Sequence, residues 1–528
     1  MLQWCRASDF LSANPGQIRY GRGAFVRRAR GFLPMELAMN LRTFLMAAAM
    51  TCIPGLVQAD MSVLTYHNSN LRHGAYKIPK LTLADAPNVT LDKGFKGTIS
   101  GHVYAQPLFW KPKGTKSGLV IVATESNSVY ALDEVTGAVV WQKQLTASVP
   151  LSQLPCGNID PMGITGTPVI DPATATLYFD AMTKEDSGPR HLVYAMSLAD
   201  GSILSGWPID MQAALTAKGA TFDSSVHGER SAVLFFKDKL YVNYGGHFGD
   251  CGNYFGTVTQ ISPASATLDA YWQTRARGGG IWAQGGISGD GQSLFVTTGN
   301  TFNATDWSDG EAIIRLLPGL AHSKKTKDYF APSNWKSLDN SDADLGGTEA
   351  LPIDIAVQGQ KSARRVIAFG KDGNAYLVDR QNLGGIGGQI AILQVANGAI
   401  RTAPAVYQTG SATMVAFTNS GNSHCGGSNV TMLNVAASGA SPISFVWCAQ
   451  FSGGGAPILT TSDGSSDAIF WVTGAEGDNK LHGFNAQNGQ VVYTGTDVMT
   501  GLHHFSTILA TAKRFYVAGD NAVYAFTF

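Results

Sequence analysis

Charge is scarce in this chain. Asp, Glu, Lys and Arg make up 14 % of its 528 residues, and 38 basic side chains offset 38 acidic ones. With no Lys/Arg run and no basic excess, the composition argues against a nucleic-acid partner. Beyond the N-terminal region no 18 consecutive apolar residues occur, so no transmembrane segment is expected. Long amphipathic helical periods are missing too. C-x-x-C and C-x-x-C-H are absent, which disfavours a four-Cys zinc site and leaves no covalent c-type haem on this chain. Nor is there a G-x-S-x-G, P-loop or H-E-x-x-H pattern.

What the chain does have is glycine, 61 in all, and short β-branched and aromatic runs between Gly/Asp/Asn/Ser turns. Leu119–Thr124, Leu240–Tyr244 and Leu294–Thr298 are examples, and they read as strands. The N-terminus reads as an export signal over about 39–59. Asn40-Leu41-Arg42 is its basic start, Thr43–Leu56 its apolar stretch and Val57-Gln58-Ala59 its cleavage site. Residues 1–38 read as a mis-annotated extension, with the true start at Met35 or Met39. The expected location is the periplasm or outside the cell. Cys5 and Cys52 fall in the removed segment, which leaves the even set Cys156, Cys251, Cys425 and Cys448 for disulfides.

Internal repetition sets the fold class. Val129–Trp141, VYALDEVTGAVVW, is a strand, an Asp/Thr-Gly turn and a strand ending on Trp. Weaker copies run over Val193–Trp207, Ala375–Gly385, Val430–Trp447 and Leu481–Tyr493. Each reads as the outer hairpin of a blade, with Gly supplying the positive φ of the turn and Trp packing between blades. A lone unit cannot bury its faces, whereas a closed ring can.

The A-x-D-x-x-T-G-x-x-x-W pattern resembles the pyrroloquinoline quinone (PQQ) repeat of quinoprotein alcohol dehydrogenases and their non-catalytic relatives. The resemblance covers about residues 92–528. It implies an all-β, eight-bladed β-propeller of four-stranded antiparallel blades, with seven blades the alternative. Inner strands are expected to begin near His102, Gly163, Arg230, Ile281, Gly347, Arg401, Gly455 and His504. The last has room for three strands, so Lys93–Ser100 is expected to supply the fourth, and residues 60–91 to form an extended arm on the propeller. Cys425 and Cys448 fall in one expected blade, which makes them the preferred pair and leaves Cys156 with Cys251.

The family's enzymes hold PQQ flat over a tryptophan, with Ca²⁺ or a lanthanide on Glu and Asn oxygens, an Asp base and a cationic side chain at the quinone. A planar ring stacks on indole, a hard cation takes oxygen ligands, and a carboxylate takes the alcohol proton. Position by position, the resemblance implies Trp282 as the floor, and Glu185, Asn300 and Asp344 as metal ligands. It also implies Asp344 as base and Lys371 as the cation at the quinone. Trp282 and Asn300 stand 18 apart, the register of the alcohol dehydrogenases. The sequence departs from the family in lacking the adjacent Cys-Cys pair, in Thr301-Phe302-Asn303 after Asn300, in Ala343 before Asp344, and in having no cytochrome segment. An enzyme would therefore oxidise an alcohol or sugar hydroxyl and pass electrons to a separate acceptor. The alternatives are a non-catalytic scaffold for an envelope protein, like the outer-membrane assembly propeller, and a metal site at His102, His503 and His504. Each residue also has a purely structural use: Trp282 between blades, Asn300 and Asp344 in turns, Glu185 and Lys371 in solvent.

Overall fold

The structure, a computed structural model, describes residues 62–528 except Ser411; the expected signal and the extension before it lie outside the described residues. Among the described residues the strands form eight blade sheets. In blade one, Leu108–Trp110, Leu119–Ala123, Ser128–Asp133 and Val139–Gln144 pair in sequence order. The innermost strands of blades two to eight are Val169–Asp171, Leu234–Phe236, Ser288–Gly289, Leu351–Ile355, Ala405–Gln408, Ile458–Thr461 and Leu509–Ala510. The eight-bladed expectation therefore holds.

Each inner strand begins 3 to 7 residues after its expected start. Several of the intervening residues bond sideways to neighbouring blades. The Val233 N–H donates to Thr167 O at 2.9 Å, Ala232 N–H to Gln284 O at 2.8 Å, and Ala456 N–H to Ser506 O at 2.8 Å. Local sequence signals extended backbone without saying which strand it pairs with.

The repeat has a physical basis in how one blade grips the next. Asp133 Oδ1 accepts the Val135 and Thr136 N–H groups at 3.0 and 2.8 Å, which shapes the turn before Gly137. Trp141 then reaches blade two, where its Nε1–H donates to Leu198 O at 3.0 Å. Its ring lies against Gly201 (φ +72°), where a Cβ would stand 2.8 Å from the indole. Trp447 and Gly489 repeat the arrangement between blades six and seven, at 2.8 Å to Ala486 O and 2.7 Å. The turn glycine thus serves both its own backbone and the preceding blade's tryptophan.

Blade eight receives Leu509–Ala510, Arg514–Gly519 and Ala522–Thr527 from the C-terminal end. Its outer edge is covered by N-terminal residues, as expected, but in two pieces: Thr90–Leu91 and Gly97–Thr98 both pair antiparallel with Ala522–Thr527. A turn at Asp92–Phe95 interrupts them, pinned by Arg514 Nη1 to Asp92 Oδ2 at 2.7 Å.

The arm before Thr90 does more than lie on the propeller. Val63 bridges to Phe109 of blade one, and Leu64 O accepts from Ile170 of blade two at 2.8 Å. Asn70 Nδ2–H donates to Phe235 O of blade three at 3.1 Å, and Asn70 O accepts from Gly289 of blade four at 2.8 Å. His73 meets Pro352 O of blade five and Val406 of blade six at 2.8 and 2.7 Å. Ala75–Lys77 then adds a parallel strand to blade seven. Tyr66 packs with Ala232, Ala403 and Ala456, from blades three, six and seven, so it plugs the ring's axis. Arg72 is fully buried there, donating to Thr65 Oγ1, Ile287 O and Val233 O at 2.6, 3.1 and 3.2 Å. No described helix is long and apolar enough to cross a membrane.

Replacing Gly201 by Val forces a left-handed backbone on a β-branched residue and drives its Cβ into Trp141. Urea unfolding is expected to show a loss of about 2–4 kcal/mol. Gly219→Ala, at φ +84° with nothing within 4 Å, meets only the backbone term and should cost about 1 kcal/mol.

Candidate active site at the mouth of the ring

Residues just before the inner strands, and the turns between second and third strands, meet at one end of the axis. Asp344 comes from the first group. The helix Trp335–Ser341 ends on Asp342 in the left-handed region (φ +52°), and the chain turns so that Asp344 is buried, 2 % exposed. Gly299 makes room for it, since a Cβ there would lie 3.0 Å from the Asp344 carboxyl carbon.

Three donors converge on that carboxylate. Oδ1 accepts the Asn300 backbone N–H at 2.8 Å; Oδ2 accepts the Trp282 indole N–H at 3.1 Å and lies 2.7 Å from Lys371 Nζ. Lys371 belongs to the turn between Ala363–Phe369 and Asn374–Asp379, and its backbone N–H donates to Asp344 O at 2.8 Å. Its ammonium also contacts Asp342 Oδ1 at 2.8 Å. Burial works against that charge, but Asp344 and Asp342 outweigh it and hold the Lys371 pKa above its ordinary value.

Trp282 is half-buried, with Lys371 Nζ 5.1 Å and Arg230 Cζ 5.8 Å from its ring centroid. Burial lowers the Arg230 pKa, against the pull of Asp250, Tyr254 and Asp344. Glu311 lies beneath Asp344. Its Oε2 accepts the Leu345 N–H at 2.6 Å while Oε1 is buried without a partner. Burial and the Asp344 charge push its pKa well up. Asp342, Asp344, Lys371 and Arg230 thus gather around the Trp282 ring. Asp250, whose pKa burial raises, adjoins Cys251 in a nearby loop. Cys251 is joined to Cys156, and Cys425 to Cys448.

Of the residues named from sequence, Trp282, Asn300, Asp344 and Lys371 come together here, Asn300 through its backbone N–H. Glu185 stands apart. It ends the strand Thr176–Glu185 and lines a cleft between blades one and two with Lys143, Arg190, Tyr194 and Asp210. Arg230 and Glu311 are additions. In the sequence Arg230 marks only a strand start, and Glu311, after Asp309-Gly310, resembles an ordinary turn residue.

The donors suit a planar anion better than a hard cation. A half-exposed indole flanked by Lys371 and Arg230 fits a flat ring carrying carboxylates. Calcium takes six to eight oxygens. Here Asp344 already accepts three N–H groups, Lys371 occupies the adjoining space with positive charge, and Glu185 lies in another cleft. The oxygen ligands expected for calcium or a lanthanide, Glu185, Asn300 and Asp344, are not brought together, because Glu185 lies in another cleft.

The fold is an eight-bladed β-propeller, and solved propellers resemble it. Quinohemoprotein alcohol dehydrogenase from Comamonas testosteroni is similar, with a TM-score of 0.62 at 14 % identity over 88 % of this chain and 80 % of that one. A europium-containing methanol dehydrogenase gives 0.60 at 14 %, over 88 % and 98 %. BamB from Moraxella catarrhalis gives 0.49 at 14 %, over 83 % and 100 %. At such identities the likeness establishes the fold alone. No family model matches the chain, and no curated protein sequence matches it.

The Asp344–Lys371 pair yields a stability test. Lys371→Met leaves Asp344 buried without its counter-ion and is expected to cost about 1–3 kcal/mol in urea unfolding. Asp344→Asn on top of it should cost less than the two single changes added together, with a coupling of about 1–2 kcal/mol.

Proposed function

We propose that the protein is an exported, PQQ-dependent dehydrogenase of alcohol or sugar hydroxyls. The observation that carries this reading is the buried Asp344 carboxylate, oriented by Trp282, Asn300 and Lys371 beside a half-exposed indole. The two disulfides support export to an oxidising compartment.

PQQ, when bound, would supply the two-electron acceptor. Trp282 would floor the ring, and Arg230 and Lys371 would neutralise its carboxylates. Asp344 would take the proton from the substrate hydroxyl. Its Oδ1 carries a single N–H and retains a lone pair for that purpose. With that proton on Asp344, Lys371 would remain paired with Asp342 at 2.8 Å. No step needs a hard cation, because Lys371 already supplies the positive charge at that place.

The experiment is a PQQ titration of protein held in EDTA, followed by Trp fluorescence and thermal stability. Dye reduction is then assayed across alcohols and sugars. Saturable quenching is expected, abolished by Trp282→Leu. Asp344→Asn should keep the quinone and lose dye reduction by about a hundredfold or more. If saturating PQQ leaves neither quinone absorbance nor stabilisation, the enzyme reading falls, and recovery of a stable envelope protein partner would favour a scaffold. Quinone binding that requires added Ca²⁺ would refute the role given to Lys371.

A further inference from the structure

Across the ring from Asp344, the seam between blades eight and one gathers a second set of ionisable groups. His102 leads into blade one, His503 leads into blade eight, and Asp520 sits in the turn between blade eight's second and third strands. By topology Asp520 holds in blade eight the place that Lys371 holds in blade five. His102 Nδ1 stands 2.9 Å from Asp520 Oδ2, and His503 Nε2 stands 2.6 Å from Asp520 Oδ1. One ligand atom from each of the three residues falls within 4.8 Å of the others.

We propose that His102, His503 and Asp520 form a binding site for a divalent transition-metal ion of the zinc type, which clips the first blade to the last. Two imidazoles and one carboxylate suit zinc and its neighbours, whereas calcium and magnesium prefer all-oxygen sets. The His102 nitrogen supplies an independent indication: Nδ1 is buried and, despite its closeness to Asp520, makes no hydrogen bond.

The surroundings meet the other demands of a metal site. Tyr104 stacks on His503 at 4.5 Å and 18°, and His102 meets the same ring edge-on at 5.5 Å, so the His503 ring is held in orientation. The Asp520 N–H donates to Gly501 O at 3.0 Å, and Gly501 packs so closely that a Cβ there would lie 2.4 Å from Asp520 Cβ. The side chains of His102, His503 and Asp520 are 44 %, 22 % and 22 % exposed, so an ion can enter and keep a water. Zinc ligands stand roughly 3.3–3.5 Å apart, as bond lengths near 2.1 Å require. Around an ion the two short contacts therefore widen by about half an ångström to one ångström. His504 stands outside the cluster, its Nδ1 instead 2.6 Å from Glu476 Oε1.

The set exists only in the closed ring, since His102 and His503 come from opposite ends of the chain. Metal binding is therefore linked to folding and should raise the melting temperature. The site makes no use of Trp282, Asp344 or Lys371, so its test is independent of the quinone reading.

Calorimetry of tag-free, EDTA-dialysed protein with Zn²⁺, without PQQ, tests the proposal. One ion per chain is expected, with a melting midpoint raised by several degrees. His503→Ala and Asp520→Asn should each weaken binding by about tenfold or more, with circular dichroism unchanged, while His504→Ala should leave it intact. If His503→Ala does not fold, His503→Gln serves, and Co²⁺ absorption in the visible reports the same loss of a nitrogen ligand. The proposal is overturned if Zn²⁺ does not bind, if a His102/His503/Asp520 triple variant binds as well as the parent, or if His504→Ala weakens binding as much as His503→Ala.

Discussion

A four-stranded blade has two apolar faces and an unpaired edge, and it can hide neither alone. Everything else in this molecule follows from how the last blade is finished. Blade eight borrows its outer edge from Thr90–Leu91 and Gly97–Thr98, so the ring is fastened by residues separated by most of the chain. One apolar cluster seals that seam: Ile78, Val89 and Phe95 from the N-terminal side meet Val120 and Val122 of blade one, together with Trp471 and Phe515 of blades seven and eight. Inside the ring the arm visits blades one to seven in order and sets Tyr66 on the axis against Ala232, Ala403 and Ala456, just before the inner strands of blades three, six and seven.

At the ring's mouth, side chains from different blades face one another because each blade presents the same two loops. Blade five places Asp344 on one loop and Lys371 on the other, and blade four adds Trp282 and Asn300. The seam carries His503 and Asp520 on the equivalent loops of blade eight, with His102 from blade one. One architecture thus supports two chemically different clusters: cations and carboxylates over an indole on one side, imidazoles around a carboxylate on the other.

The repeat was legible because its determinants are local. Asp133, Gly137 and Trp141 lie within nine positions, and each acts on its own hairpin or on the next blade's turn. The blade count and the borrowed closing strand followed from that spacing. The course of the arm did not, because nothing local in Tyr66, His67 and Arg72 says what they pack against. Their burial depends on acceptors such as Gln284, Gln106 and Val233 O, far away in sequence. At the site, Trp282, Asn300, Asp344 and Lys371 converge because each follows or precedes a strand of a regular blade. Glu185 sits at the end of a ten-residue strand paired over its length with Gly188–Ser197, and that hairpin carries it into a separate cleft. Glu311 gave no signal, since burial alone makes it unusual.

The central claim is that the ring's mouth is a quinone site built on Asp344, Trp282 and Lys371. A crystal structure of protein soaked with PQQ in EDTA tests it most directly. The account predicts a flat density stacked on Trp282, with its carboxylates near Arg230 and Lys371 and Asp344 at its edge. Saturating PQQ that leaves the Trp282 face bare, or that binds only elsewhere on the ring, would contradict it.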